Sequence, residues 1–290
     1  MTYPDVLVAG LIMSALGFIL SGLLAAANRR FHVFENPRIS AVEKMLPGSN
    51  CGACGQPGCR GFAELVVAGT IAPGKCTVSN EEAQERIAAF LGVEVGAEEK
   101  RVARLACAGG SHVARQRAAY VGLANCRAAN LVAGGGKGCA WGCLGLGDCA
   151  TACTFGAIRM DAFSLPVVDE AACTSCGDCV EICPKDLFSM EPVSHHLWVA
   201  CKNEAFGDAA EDECSVACTA CAKCAADAPP GVIRIERNLA VVDRSLQHRA
   251  SMPAIQRCPT GAIVWLESGR PALKGIQAKQ VIRHTPLPIG

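Results

Sequence analysis

Aromatic residues are scarce in this chain: they make up 5% of its 290 residues, with only two tyrosines and three tryptophans. Aromatic side chains supply much of the buried area of a large core. Their scarcity argues for several small modules, and the length allows two or three. An excess of either charge is also missing. The 27 basic residues balance the 27 acidic ones, which leaves no electrostatic footprint for nucleic acid. None of the six histidines has metal-ligand spacing; His195 and His196 read as a surface pair at a turn. A phosphate loop is missing too. Gly134-Gly-Gly-Lys-Gly138 has Leu131 where that motif needs its first glycine, and Gly138 where it needs Ser or Thr. The stretch reads as a flexible turn, and no acid–base constellation stands out elsewhere.

Long apolar runs are confined to the N-terminus. Residues 6–28 carry no charge and are about one bilayer span long. Asp5 precedes them and Arg29 and Arg30 follow, so the positive-inside rule puts residue 29 onward in the cytoplasm. A cleavable signal peptide carries its positive charge before the apolar run, and this chain has none there. The expectation is a single-pass anchor in the cytoplasmic membrane, with the soluble domains on the cytoplasmic side. A buried helix of a soluble domain is the competing reading. A reducing cytoplasm favours metal over disulfides for the cysteines.

Cysteine and glycine are what the chain has in excess, with 20 and 30 residues. Cys173-Thr-Ser-Cys176-Gly-Asp-Cys179-Val-Glu-Ile-Cys183-Pro184 has the spacing C-x2-C-x2-C-x3-C-P. In that pattern three thiolates wrap one [4Fe–4S] cluster, and the fourth ligates the other cluster of a pair. Structural zinc favours two separated C-x2-4-C pairs instead. Upstream, Cys51-Gly-Ala-Cys54-Gly-Gln-Pro-Gly-Cys59 and Cys76 form a closed ligand set for a one-cluster domain, with four-thiolate zinc as the alternative. Residues 31–47 read as a connector, with a helix expected over 39–46. A second helix is expected over 62–67, and a turn at Ala72-Pro73-Gly74. A capping box from Ser79 to Glu82 predicts a third, running to about Leu91. Residues 98–106 are compatible with a strand.

The rest of the chain is a duplication. Cys126-x12-Cys139-x3-Cys143-x5-Cys149 recurs as Cys201-x12-Cys214-x3-Cys218-x5-Cys224 at an offset of 75, and Cys183-Pro184 maps onto Cys258-Pro259. Such a repeat marks copied supersecondary units, each expected to be a ferredoxin-like fold. In the second copy the positions of Cys153, Cys173, Cys176 and Cys179 hold Ala228, His248, Ser251 and Ala254. One complete ligand set is thus lost, while Cys218, Cys221, Cys224 and Cys258 remain for the other. In the first copy Cys153, Cys173, Cys176 and Cys179 form one set. Its partner has Cys143, Cys149 and Cys183 but Leu146 in the middle position, and Cys139 is the nearest substitute. Cys107, Cys126, Cys201 and Cys214 are left over. They form either a fifth set between face-to-face copies or include buried free thiols, and Cys107 and Cys139 are interchangeable in this scheme.

The expected fold is α+β: an N-terminal transmembrane helix (1–30), a small one-cluster iron–sulfur domain (31–95) and two duplicated ferredoxin-like modules. The modules span 96–192, with two clusters, and 193–265, with one retained; a tail follows (266–290). The cofactor expectation is four [4Fe–4S] clusters, and five if the left-over set binds one. The tail's Arg270, Lys274, Lys279 and Arg283 suit an acidic partner or the membrane face, against a solvated, partly disordered terminus. Asp148, Asp161, Asp169, Glu170, Asp178 and Glu181 read as solvated or as tuning docking.

An apolar anchor, then Asn50-Cys-Gly-Ala-Cys-Gly-Gln-Pro-Gly-Cys59, Gly142-Cys-Leu-Gly-Leu-Gly-Asp-Cys149 and a ferredoxin run, in that order, resemble the RnfB family. These are the B subunits of the Rnf complex, an ion-translocating ferredoxin:NAD oxidoreductase of bacterial membranes. The likeness covers residues 1 to about 265 and is greatest to the longer members. It departs at Leu146 and at the lost set of Ala228, His248, Ser251 and Ala254. The resemblance implies an electron-transfer subunit of a translocase in the cell inner membrane. It would accept electrons from reduced soluble ferredoxin and relay them to other membrane subunits, with no catalytic acid or base of its own. Two rivals stand beside it: a membrane-anchored polyferredoxin serving another reductase, and a non-redox zinc protein with four-thiolate sites.

Overall fold

The computed structural model describes residues 3–31, 36–96, 99–281 and 283–289. The N-terminal run forms α1 (Tyr3–Phe31), which ends on Arg29 and Arg30 in its last turn. Within it Gly10–Phe31 is long and apolar enough to cross a membrane, with a mean hydropathy of 2.1 and 0% buried inside the protein. Of the connector expected at 31–47, residues 32–35 lie outside the described residues. The remainder is mostly helix.

That helix is α2 (Pro37–Met45), capped by Asn36 through the N–H of Arg38 and started by Pro37. Together with α3 (Cys59–Val67) and α4 (Glu81–Leu91) it encloses Val42, Leu46, Phe62, Ala63, Val66 and Ile87. This small core gives the Cys51 loop a rigid base. Asn50 Oδ1 accepts the N–H of Cys59 at 2.8 Å, which draws the two ends of that loop together. The capping box expected at Ser79 is displaced by one residue. Asn80 caps α4, accepting from Ala83 N–H at 2.9 Å, and the Ser79 hydroxyl instead turns to the Cys76 sulfur at 3.2 Å.

The first module is framed by β1 (Arg101–Leu105), which pairs antiparallel with β4 (Phe188–Pro192). Between them lie α5 (Cys126–Leu131), α6 (Asp148–Ala152), the hairpin of β2 (Ile158–Met160) with β3 (Pro166–Val168), and α7 (Asp178–Ile182). The second copy repeats the frame with β5 (Leu197–Val199) antiparallel to β8 (Ile263–Trp265). Inside it are α8 (Asp208–Glu213), α9 (Lys223–Asp227), the hairpin of β6 (Ile233–Glu236) with β7 (Leu239–Val242), and α10 (Pro253–Gln256).

From α6 and α9 onward the offset of 75 holds from Asp148 and Lys223 to Phe188 and Ile263, with a slip of one residue at β3 and β7, where Val168 and Val242 are counterparts. Ahead of Cys139 it fails. Ala106 N–H bonds Leu187 O as Ala200 N–H bonds Ala262 O, at 2.8 Å in both cases. The N–H groups of Cys143 and Cys218 approach the sulfurs of Cys107 and Cys201 at 3.4 and 3.3 Å. Cys107, not Cys126, is therefore the counterpart of Cys201. That offset is 94 rather than 75, so the first copy carries a 19-residue insertion between Cys107 and Cys139. Cys126 lies inside the insertion, and its match with Cys201 is a coincidence of spacing.

Where the second copy has lost a ligand set, apolar packing takes its place. Ala228, Leu246 and Ala250 pack against a core that includes the fully buried Ala254 and Ile255. Arg257 then ties α10 to α9 through bonds of 2.6 and 2.7 Å to Asp227. The two copies join close to their cysteines. Ala108 N–H reaches Ala200 O at 3.0 Å, and the Trp198 indole donates to Leu105 O at 2.8 Å.

One surface expectation is overturned. His195 and His196 are half-buried: the first lies 3.2 Å from the buried carboxylate of Glu191, and the second stacks on Trp265. The tail is a mostly exposed strap that is tied back onto the second copy and the first. β9 (Leu273–Lys274) extends the sheet beside β8, Lys279 pairs with Glu211, and Leu287 N–H bonds Ser111 O at 2.8 Å. Gly275 presses on Ile255, where a Cβ would come within 1.9 Å of the carbonyl oxygen.

Candidate metal centres

Five cavities, each with between about 300 and 380 Å³ of atom-free space counted together with the solvent at its mouth, are lined by four cysteines apiece. Every one of the 20 cysteines lines one cavity and no other. Cys51, Cys54, Cys59 and Cys76 line the first, in the small helical unit. Cys153, Cys173, Cys176 and Cys179 line the second, and Cys218, Cys221, Cys224 and Cys258 line one in the second copy. These three groupings coincide with the sets read from spacing.

The other two differ. Cys126, not Cys139, stands with Cys143, Cys149 and Cys183. Cys139 instead stands with Cys107, Cys201 and Cys214 in a cavity between the two copies. The cause is the insertion. Asp148, the residue before Cys149, accepts the N–H groups of Cys126 and Arg127 at 2.9 and 3.3 Å. This pulls the start of α5 onto the loop where Leu146 fills the position of the second copy's Cys221. Cys139 is then free to mirror Cys214, as Cys107 mirrors Cys201.

The donor sets fit a polynuclear group better than a lone ion. A tetrahedral zinc site closes its sulfurs on one ion at about 2.3 Å. Among the described residues no three of His, Cys, Asp or Glu stand close enough to hold a single ion. The cysteines ring a space instead, with four thiols around each.

Burial governs the electrostatics. It pushes the thiols of Cys143, Cys179, Cys201 and Cys224 up to about 12 and those of Cys149 and Cys214 up to about 11. Neighbouring cysteines add to the rise at Cys179 and Cys224. Backbone N–H groups oppose it: those of Asp148 and Leu146 act on Cys126, and that of Val216 acts on Cys214. Lys137 also opposes it at Cys139, Cys143 and Cys214. Its ammonium is fixed at 2.6 Å from both Gly109 O and Cys143 O.

The cavities follow one another in a line. Thr77, on the wall of the first, donates to Thr174, on the wall of the second, at 2.5 Å. Cys179 of the second and Cys149 of the third share the core around Ile158 and Phe188. Cys143 of the third donates its N–H to Cys107 of the inter-copy cavity, and Cys218 of the last donates to Cys201 of the same cavity. Cys221, at the far end of the line, is the exposed cysteine.

Two residues that line these sites, Thr77 and Asn203, carried no motif signal, and Ser79 and Lys137 stood in stretches read for other reasons. Of the acidic residues read as solvated, four have internal partners. Asp148 holds α5; Asp161 accepts Phe163 and Leu165 N–H at 2.8 Å; Asp169 accepts Ala171 N–H at 2.9 Å. Glu170 pairs with the buried Arg104 and accepts Ser268 Oγ at 2.8 Å.

Comparison with known proteins places matches on both cysteine-rich regions. A family model described as a putative Fe-S cluster matches residues 46–78, and one described as a 4Fe-4S dicluster domain matches residues 138–188. The B subunit of the Na(+)-translocating ferredoxin:NAD(+) oxidoreductase complex of Acetobacterium woodii is 38% identical over 87% of this chain and 75% of its own length. The B subunit of the ion-translocating oxidoreductase complex of Methanosarcina acetivorans is 36% identical over 87% of this chain and 95% of its own length. That of the proton-translocating ferredoxin:NAD(+) oxidoreductase complex of Clostridium ljungdahlii is 39% identical, over 89% and 92% respectively.

Proposed function

The chain belongs to the family of B subunits of ion-translocating ferredoxin:NAD oxidoreductase complexes, the Rnf complexes, and from that premise we propose how its five cysteine sets serve electron transfer. It is an iron–sulfur electron-transfer subunit of such a complex, associated with the membrane and with the other subunits. In our reading it accepts electrons from reduced soluble ferredoxin on the cytoplasmic side and relays them toward its membrane partners. Each of the five cavities holds one [4Fe–4S] cluster, with Cys126 rather than Cys139 in the third set. When bound, such clusters take up and give up single electrons.

The residues of this chain supply ligation, order and shielding, with no acid–base step of their own. Four thiols hold each site. The contacts of Thr77 with Thr174, Cys143 with Cys107 and Cys218 with Cys201 support a single line of five sites. The inter-copy cavity is what makes the line continuous, and this observation carries the proposal. Phe31 and Asn36 are five peptide links apart, which span at most about 18 Å; the Cys51 set is therefore tethered close to the end of α1. The exposed Cys221 marks the opposite end, where a soluble donor has access. We assign electron uptake to the Cys221 end and delivery to the Cys51 end.

Iron analysis and EPR spectroscopy on anaerobically purified protein test this reading. About 20 irons per chain, as four in each of five clusters, and five reducible signals are expected. A colourless protein containing only zinc would refute electron transfer, and about 16 irons would remove one site from the line.

A further inference from the structure

We infer that the side-chain amide of Asn203 donates a hydrogen bond into the inter-copy site of Cys107, Cys139, Cys201 and Cys214 and makes that site easier to reduce. The inference rests on the reading that this site holds a cluster. Asn203 lines the cavity and is 2% exposed. Its Oδ1 accepts the N–H of Ala205 at 2.8 Å. Since an N–H must face an oxygen, this bond fixes which end of the amide is which. The NH2 end is then left buried, and among the described residues it has no partner. A buried amide donor without an acceptor is costly and rare. Sulfur of a thiolate-bound cluster is an anionic acceptor that would satisfy it.

The two copies sharpen the point, because they differ at this position. Gly109 N–H approaches Cys107 Sγ as Asn203 N–H approaches Cys201 Sγ, both at 3.4 Å. Gly109 is therefore the counterpart of Asn203. A Cβ built on Gly109 would lie 3.2 Å from Cys214 Sγ and 3.5 Å from Cys107 Sγ. The position stands among the sulfurs. One copy leaves it bare and the other fills it with a donor. Hydrogen bonds to cluster sulfur stabilise the more negative, reduced state and raise the potential. Asn203 is thus a positioning residue for charge, acting through the cluster rather than on a substrate.

The test uses the full-length protein, prepared anaerobically. Cys214→Ser first identifies the inter-copy signal as the one it abolishes, with a loss of about four irons. In Asn203→Leu the iron content is expected to stay at the wild-type value while that signal alone moves to lower potential. Its reduced-to-oxidised ratio at a fixed potential should fall on the order of tenfold, which is 59 mV for a one-electron couple. An unchanged potential with full iron would overturn the inference. Should the leucine variant lose the cluster, the unaltered protein labelled with 15N in its asparagine side chains decides the matter. Electron–nuclear coupling of a side-chain amide to the reduced inter-copy cluster supports the bond, and no such coupling overturns it. If neither Cys214→Ser nor Cys214→Ala lowers the iron content, it is the five-cluster reading that fails, and this inference with it.

Discussion

Leu146 occupies the position that Cys221 holds in the second copy, yet its backbone N–H still acts on a thiol, that of Cys126. A ligand has been replaced from elsewhere in the chain while the loop that received it is kept. Cys126→Ser is therefore expected to remove about four irons per chain, and Leu146→Cys in the same protein to restore them. Iron analysis and EPR report both steps; a failure of the second substitution to rescue would mean that the loop no longer presents position 146 to the cavity. The thiols give a second prediction at this scale. Burial raises Cys143, Cys179, Cys201 and Cys224 well above an ordinary thiol, so the metal-free chain keeps them protonated at pH 7. Ligation needs thiolates, so loading must release those protons and becomes more favourable as pH rises. Iron content after anaerobic reconstitution should therefore rise with pH; loading that does not change with pH would mean that these thiols are already ionised in the metal-free chain.

At the scale of elements, the strap formed by β9 and the residues after it depends on one close approach. Gly275 leaves no room for a Cβ against Ile255 O, and Lys279 N–H bonds Pro259 O at 2.9 Å just beyond. Gly275→Ala is expected to lift the strap and expose the chain after residue 275 to limited proteolysis, while the cysteine sets keep their iron. Resistance equal to the wild type would show that the strap is held elsewhere, as by the Leu287–Ser111 bond. The strap was invisible in the sequence because, beyond the Lys279–Glu211 pair, its contacts are mostly backbone bonds made by a stretch of mixed composition, without a period or a cap. The cysteine loops were legible for the opposite reason. In Cys51 to Cys59 and Cys173 to Cys179 the grouping is local, so spacing alone encodes which thiols face one point. The inter-copy set draws on both copies, and Cys126 arrives from an insertion whose length happens to mimic the repeat. Only the strand register around Ala106 and Ala200 separates true counterparts from that coincidence.

For the whole molecule, duplication explains why the cavity between the copies exists at all. Each copy places one cysteine, Cys107 or Cys201, two residues beyond its first strand and brings a second, Cys139 or Cys214, thirteen or more residues later. Neither copy alone has four donors there, so the site forms only when the copies pack together. The lost ligand set of the second copy left a single retained site in that module, and packing around Ala254 closed the gap. That module's site reaches the rest of the proposed line through the inter-copy cavity, by the Cys218–Cys201 contact. Cys214→Ser should therefore do more than lower the iron content by about four. With a reduced ferredoxin as donor, the set of Cys218, Cys221, Cys224 and Cys258 should still be reduced promptly. The sets on the membrane side should be reduced far more slowly than in the wild type, although a small chemical reductant should reach them all. Rapid-freeze EPR separates the two outcomes. If ferredoxin reduces the membrane-side sets as fast in the variant as in the wild type, electrons do not enter at the Cys221 end, and the donor must dock nearer the anchor.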